Sequence, residues 1–402
     1  MVDEMTATQT VKRTRVLFLV EGHTDIRFVT GLASVCDLTL VVPSIPFRSS
    51  GLDNRIREAG LSITIHEIPG GRVMFQARSL GWLISNARRF DVILTQELLR
   101  GTLNANLASL IRGVPVVANI LVPATEYFRC RRERRQVGWL TAICGEAVIR
   151  MLLTVNGKVV ARCAAWGPYL QSIARAYCSR VVAGHYYGID VRAFRPASKE
   201  ERAELRRRHN LPLDRFLVLF PSRISHEKDP ETALKSVALL RRLGVDAVIL
   251  NLGGGYESFL RMAAEMGLPL GKEWVLGRPA MHPMKELADY FRAADVICQS
   301  SLEEGLSLAT LEGMACGVPV VASDVGGMAS HLRERAWMVP RRDPEAMSRA
   351  FYSIVQSPQE AAEKAGRQRQ WVESTYSREI AFNHWRDLFA EVAAESRRAR
   401  SR

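Results

Sequence analysis

Long apolar runs are scarce in this chain. None of its 402 residues fall in a stretch of the roughly 18 consecutive apolar residues that a membrane span needs, although 47% of them are hydrophobic, enough to bury two cores. Cysteine is sparse too: seven, an odd number with no C-x-x-C pair, which excludes a disulfide framework and a zinc site and reads as small apolar residues in a reducing compartment. The start, M-V-D-E-M-T-A-T-Q-T, is acidic and polar, and the apolar run after it, residues 16–20, is too short for a secretory signal. G-x-G-x-x-G is absent, which counts against a dinucleotide dehydrogenase. No D-x-D motif or His/Asp cluster stands where it would hold a metal ion, so no metal cofactor is expected. These absences together predict a cytoplasmic protein.

Negative charge is also in deficit. The chain carries 55 Lys and Arg against 42 Asp and Glu, a net +13. Residues 1–195 hold 25 of the basic and 14 of the acidic side chains, so the first half accounts for +11. The excess peaks at residues 129–135, R-C-R-R-E-R-R, five arginines in seven positions. Such asymmetry favours an anionic partner: a membrane surface, a phosphorylated or acidic acceptor, or nucleic acid. The cluster reads either as a solvated helix face or as an anion-binding surface. Nucleic acid is disfavoured, because the arginines lack interleaved aromatics and no recognised module surrounds them.

Apolar runs at residues 15–20, 38–42, 63–68, 91–94 and 114–120 read as strands. They alternate with helical patterns from residue 26, over 73–89 and over 103–111, the last capped near Gly113. That alternation predicts an α/β fold with a parallel sheet covered by helices on both faces. Residues 140–155 alternate apolar and polar at helical spacing and read as structural. The pattern resumes with strands at 216–220, 245–252, 274–278 and 337–340. Near the C-terminus, residues 380–392 place Phe382, Trp385, Leu388 and Phe389 on one face, a helix that packs on apolar surface.

The densest chemistry lies in residues 294–327, A-D-V-I-C-Q-S-S-L-E-E-G-L-S-L-A-T-L-E-G-M-A-C-G-V-P-V-V-A-S-D-V-G-G. An apolar run (296–298) leads through a polar turn into a helix over about 306–316, stopped by Gly317 with Pro319 behind it, and then into a second run at 318–322. Ligands bind where the strands of such a crossover unit end. Glu304 lies before the helix and Glu312 eight residues on, about two helical turns. The N–H groups of Gly305, Leu306 and Ser307 then offer an unpaired, dipole-positive end suited to a phosphate. Flanking carboxylates suit hydroxyls, and a sugar nucleotide presents both. The plainer alternative makes Glu304 a cap and Glu312 a solvated face residue.

The whole string resembles the E-x7-E signature of the family-4 retaining glycosyltransferases. Those enzymes have the GT-B fold: two Rossmann-like doubly wound parallel-sheet domains facing each other across a cleft. Gly305-Leu306-Ser307 stands where the family usually has G-F-G. Further upstream, Gly188-Ile189-Asp190 and Phe194-Arg195-Pro196 resemble the segment that closes the first domain. After the strand at 216–220, Arg223 and Lys228 match the family's two phosphate-binding cations, while Ser222 and Asp229 replace its two glycines. The resemblance implies a disordered start (1–13), an acceptor domain (14–196), a nucleotide-sugar domain (197–375), a helix returning to the first domain (376–394) and a disordered tail (395–402). It implies catalytic roles for Arg223, Lys228 and Glu304, and donor contacts from Gly22, Gly277, Arg278, Gly305, Leu306, Ser307 and Glu312.

On the acceptor side it points to His23, Arg131, Arg132, Arg134 and Arg135; the histidine that many relatives carry after the strand at 114–120 has no counterpart in residues 119–126. The implied activity is metal-independent transfer from a UDP- or GDP-linked sugar with retention of configuration. The acceptor would be an anionic lipid, a saccharide or a natural product, with peripheral contact to the inner face of the cell membrane. The alternatives are a nucleic-acid- or anion-binding protein, or a sugar phosphorylase or epimerase of the same fold.

Overall fold

The computed structural model describes residues 13–22, 24–126, 132, 137–280 and 284–401. Apart from Arg13, the expected disordered start lies outside the described residues. The chain divides into two compact units: residues 1–165, 171–187 and 382–402 form the first, and residues 166–170 and 188–381 the second.

The first unit is built on a seven-stranded sheet of β1 (Arg15–Leu19), β2 (Asp37–Pro43), β3 (Thr64–Ile68), β4 (Val92–Gln96), β5 (Val116–Ile120), β6 (Arg162–Trp166) and β7 (Val181–Gly184). Its order is β3-β2-β1-β4-β5-β6-β7, and β1 pairs in parallel with both β2 and β4. These strands are continuous apolar runs because both faces are covered: Val16, Leu17 and Phe18, like Val92, Ile93 and Leu94, are fully buried. The second unit repeats the plan with β8 (Phe216–Phe220), β9 (Ala247–Leu252), β10 (Val275–Arg278), β11 (Val296–Gln299), β12 (Val320–Ser323) and β13 (Trp337–Val339), in the order β10-β9-β8-β11-β12-β13. Every pairing in it is parallel. Phe220, Leu234, Val237, Phe259 and Phe351 fill its core.

In each sheet the strand order reverses direction once, between β1 and β4 in the first and between β8 and β11 in the second. Neighbouring strands there send their connections to opposite faces, which leaves a crevice at their C-terminal ends.

Three features differ from the sequence reading. Two short helices, Ser44–Ser49 and Leu52–Glu58, fill the interval between β2 and β3. The final helix, Arg378–Arg400, runs through the segment expected to be a disordered tail. Contacts within the first unit hold its last turns: Arg397 lies 3.7 Å from Asp91, while Ser396 and Arg400 donate to the free carbonyl of Gly113. Finally, the helix Trp139–Val159, which contains the structural helix expected over 140–155, leaves Trp139, Leu140, Ile143, Val148, Met151 and Val155 exposed. It buries only Ala142, Leu153, Asn156 and Gly157, and its length and composition suffice to cross a membrane. Counting consecutive apolar residues missed this, because Thr141, Glu146, Arg150 and Thr154 interrupt the run without making the helix polar overall.

Candidate functional site

The two loops at the reversal point of the second sheet carry the candidate residues. The loop after β8 opens at Pro221, where β8 loses its ladder donor, and the turn after β9 pins it. Asn251 donates its side-chain amide to the carbonyls of Phe220 (3.0 Å) and Ser222 (2.8 Å), and the Ile224 N–H reaches Gly254 O at 2.8 Å. Gly253 must be glycine: a Cβ there would press on the backbone of Ser222 and Arg223. The loop ends in a 3-10 turn, His226–Lys228, and then Asp229. Asp229 takes a left-handed conformation (φ 46°) and caps the helix Pro230–Arg242 through Thr232. A glycine would meet that φ without strain, and Asp is among the few other residues that tolerate it.

The loop after β11 is fastened onto the first. Ser300 Oγ donates to the carbonyls of Lys228 and Asp229, each at 2.8 Å, and the Leu302 N–H donates to Glu227 O at 2.8 Å. This brings the Lys228 ammonium onto the Glu304 carboxylate, an ion pair whose side chains are each only 17% exposed. Ser301 Oγ donates to the same carboxylate at 3.4 Å. Taking both charges largely out of water costs several kcal/mol per ion in order of magnitude, so such a pair is weak evidence for stability. It is better understood as a prepared cation and a prepared acceptor at a crevice.

The helix that follows begins later than the sequence suggests. Ser307 is its N-cap, with Oγ accepting from the Thr310 N–H, and the helical residues are Leu308–Ala315. The dipole-positive end is therefore made by the N–H groups of Ser307, Leu308 and Ala309, one turn on from Gly305. Glu312 sits in the second turn of this helix and is buried. Leu306 and Ser307 are buried as well.

Support for this loop comes from residues that sequence reasoning did not single out as functional. Gly326 (φ 47°) and Gly327 lie against the Glu304 and Gly305 carbonyls, and the Gly327 N–H donates to Glu304 O at 2.9 Å; a Cβ at either glycine would collide with that backbone. The paired glycines were visible at the end of the 294–327 string. Trp166 gave no such signal: its indole N–H donates to Leu306 O at 3.1 Å, from 140 residues away in the chain. Behind it, Trp166 packs edge-on against Tyr376, whose hydroxyl meets His331 Nε2 at 2.6 Å. Burial, and then the Arg335 charge, lower His331 to about 4. The imidazole is thus neutral near pH 7 and available to accept from the tyrosine.

Other predicted residues do not converge on the pair. Arg223 is 68% exposed and pairs with Glu227 at 2.6 Å. Gly277 is required by packing, since a Cβ would strike Tyr256 and Leu260. Arg278 turns back to donate to Gly277 O at 3.0 Å. In the first unit, Gly22 lies beside the Arg72 guanidinium. Of the acceptor-side residues only Arg132 is described, as an exposed helical residue; His23, Arg131, Arg134 and Arg135 lie outside the described residues. Among the described residues no three His, Cys, Asp or Glu side chains are grouped as metal ligands.

The reversal point of the first sheet is occupied differently. Glu21, after β1, is drawn onto the N-terminus of the helix Arg100–Arg112, accepting from the Gly101 N–H and from the Gln76 amide. Burial raises its pKa. Glu97, after β4, takes φ 58° and accepts the N–H groups of Leu121 (2.9 Å) and Val122 (3.3 Å) on one oxygen. Burial outweighs those two bonds and lifts it to about 8.

Residues 201–371 match the family described as Glycosyl transferases group 1. Among curated proteins, the chain is 27% identical over 291 residues to D-inositol 3-phosphate glycosyltransferase 1 of Catenulispora acidiphila, covering 67% of this chain and 65% of that one. It is 32% identical over 184 residues to the D-inositol 3-phosphate glycosyltransferase of Thermobispora bispora, covering 44% and 42%. The chain thus matches less than two thirds of the length of either relative. Two solved structures resemble it along 95% of its length and 100% of theirs. One is Anabaena Alr3699/HepE in complex with UDP-glucose (TM-score 0.73, 15% identity), and the other is sucrose-phosphate synthase from Thermosynechococcus elongatus (TM-score 0.73, 18% identity). At such identities the likeness shows the fold, two parallel doubly wound sheets of the GT-B type.

Proposed function

We propose, from the match of residues 201–371 in the second unit to the family described as Glycosyl transferases group 1, that this protein transfers a sugar from a nucleotide-diphospho-sugar to an acceptor. The observation that carries this reading is the Lys228–Glu304 pair at the reversal point of the second sheet, with the helix Leu308–Ala315 beginning four residues beyond Glu304. An arriving diphosphate competes with Glu304 for Lys228. Once the ammonium turns to the phosphate, Glu304 is released to accept hydrogen bonds from the hydroxyls of the donor sugar. The leaving diphosphate gains negative charge as the glycosidic bond lengthens, and fixed positive potential stabilises that change more than the ground state.

Arg223 supplies the second cation. Its pair with Glu227 is exposed, and exposed pairs are worth only about 0–1 kcal/mol, so a diphosphate recruits it at little cost, with a fork that spans two oxygens. Glu312 is assigned to the ribose hydroxyls. Because these cations and the helix end supply the positive charge, the reaction is proposed to proceed without a metal ion. UDP is the favoured nucleotide, since the Anabaena neighbour was solved with UDP-glucose. An acceptor hydroxyl attacks the anomeric carbon on the face from which the diphosphate departs, through an oxocarbenium-like state: the new C–O bond forms as the bond to the diphosphate breaks, the hydroxyl proton passes to the departing phosphate oxygen, and the sugar is transferred with retained configuration. The acceptor is proposed to be anionic and to engage the basic first unit from the cytoplasmic side.

The test is turnover of a panel of UDP- and GDP-sugars by the purified protein, with the product anomer read by NMR and the assay repeated with excess chelator. Turnover of one donor with a retained anomer and full activity in chelator is the expected result. An inverted product, or activity lost to chelator and restored by metal, overturns the mechanism.

A further inference from the structure

The loop from Glu304 to Ser307 is held by its carbonyls. The Leu306 carbonyl accepts from the Trp166 indole N–H at 3.1 Å, and the Glu304 carbonyl accepts from the Gly327 N–H at 2.9 Å. Both donors belong to one buried framework within the second unit. Gly327 stands in the first turn of the helix Gly326–Leu332, and His331 stands near its end. His331 Nε2 meets the Tyr376 hydroxyl at 2.6 Å, and the Tyr376 ring packs edge-on against Trp166 with 5.2 Å between centroids. The path closes on itself, from Glu304 through Gly327, His331, Tyr376 and Trp166 to Leu306. Gly167 (φ 79°) turns the chain beside the imidazole as it leaves Trp166; a Cβ there would stand 3.2 Å from His331 Nε2.

We propose that Trp166 is a positioning residue for the diphosphate: by holding the Leu306 carbonyl it aims the Ser307 N–H at the departing phosphate. The inference rests on the proposed transfer from a nucleotide-diphospho-sugar and names what sets the geometry of that site. A trans peptide is planar, with its C=O and N–H opposed. A donor fixed on the Leu306 oxygen therefore also fixes the direction of the Ser307 N–H, and the Gly327 N–H on the Glu304 oxygen does the same for Gly305. Ser307 is the N-cap of Leu308–Ala315, and its Oγ is taken by the Thr310 N–H. Its own N–H and those of the next two residues are left as donors of the helix end. Donors aimed in advance need no reorganisation as charge develops on the leaving group, so they act on the transition state and on the released diphosphate more than on the intact donor. A phenylalanine would fill the same space against Tyr376; only the indole N–H reaches the carbonyl. His331 and Tyr376 act through Trp166, by holding its ring in place.

The experiment compares the full-length wild type with Trp166→Phe and Tyr376→Phe. Calorimetric titration with UDP and GDP gives Kd, and steady-state kinetics on the nucleotide sugar that the wild type turns over give kcat and KM. Trp166→Phe is expected to lower kcat and to weaken nucleoside diphosphate binding by about tenfold each, less than the loss of a donor outright because the Ser307 N–H is loosened and not removed. KM for the intact nucleotide sugar should stay within about twofold, since the ground state draws less on that donor. Tyr376→Phe keeps the ring against Trp166 and gives up only the bond to His331, so it should move kcat and Kd together in the same direction by a smaller factor. It also decides the matter should Trp166→Phe fail to fold. Residues that merely fill the core would lower the melting temperature and leave Kd as in the wild type. That result in both variants, or a rise in KM with kcat unchanged, overturns the proposal. A wild type that binds neither nucleotide overturns the donor reading itself, and this inference with it.

Discussion

The two sheets share one topology and differ in what stands at their reversal points. In the second unit the loops after β8 and β11 bring together a cation and a carboxylate, Lys228 and Glu304, just before the N-terminus of the helix Leu308–Ala315. In the first unit the loops after β1 and β4 each contribute a carboxylate, and each is turned inward onto backbone N–H groups: Glu21 onto Gly101, Glu97 onto Leu121 and Val122. Glu21 closes a helix N-terminus that would otherwise attract an anion. On the proposed reading the crevice of the second unit takes a diphosphate, whereas that of the first is filled by the protein's own acids. Topology places a site, and the side chains on two loops decide whether it takes an anionic ligand.

The comparison breaks most visibly at Lys228. Lys228→Ala is expected to lower kcat by about 10²–10³, or about 2.7–4 kcal/mol, the scale of removing one preorganised charge contact in the transition state. Steady-state kinetics on the preferred nucleotide sugar would show it, and near-normal turnover would remove the assignment.

At the other reversal point a substitution should change stability and leave donor turnover alone. Glu97 rises from an ordinary 4.5 when unfolded to about 8 in the fold. The fold therefore favours its protonated form, and that contribution is complete below about pH 4.5 and is lost as pH rises through 8. The melting temperature of the wild type should fall across this window. Glu97→Gln, which keeps a carbonyl oxygen for both N–H groups, should flatten that fall with kcat unchanged. An identical pH profile in the variant would show that Glu97 does not titrate there.

Arg223 sharpens the picture of the donor site, because it is exposed and must leave Glu227 before it can help. Arg223→Ala is expected to cost about tenfold in kcat/KM, or about 1.4 kcal/mol, clearly less than Lys228→Ala. Equal losses would mean that both cations are prepared in advance. The smallest effect is expected at Asp229. Asp229→Gly relieves the left-handed φ but gives up the cap to Thr232, and Asp-to-Gly changes at caps cost only a few tenths of a kcal/mol, so stability measured by denaturant should move by less than about 1 kcal/mol.

Much of this was legible in the sequence. Strands buried on both faces announce themselves as runs such as F-L-V-L-F, and Gly317 marks a helix end by its left-handed φ of 63°. Lys228 and Glu304 were both picked out, although 76 residues separate them. What stayed hidden depends on partners that periodicity does not name. Arg223 and Lys228 look alike in sequence, and only the fold sends one to Glu227 and the other to Glu304. Trp166 is a strand-end aromatic until its indole is seen on Leu306. The helix Trp139–Val159 has an apolar stripe that reads only as structural, because a sequence pattern records that a face is apolar and not what it meets. The terminal arginines read as a loose tail because their anchors, Asp91 and Gly113, lie some 300 residues away in the chain.

The central claim, that the reversal point of the second sheet and not that of the first receives the nucleotide diphosphate, is tested most directly by calorimetric titration of UDP and GDP into three proteins: wild type, Lys228→Ala and Glu97→Gln. The account predicts saturable binding of one nucleotide to the wild type, the same affinity in Glu97→Gln, and a loss of at least tenfold in Lys228→Ala. Undiminished binding to Lys228→Ala, or no binding of either nucleotide to the wild type, would contradict it.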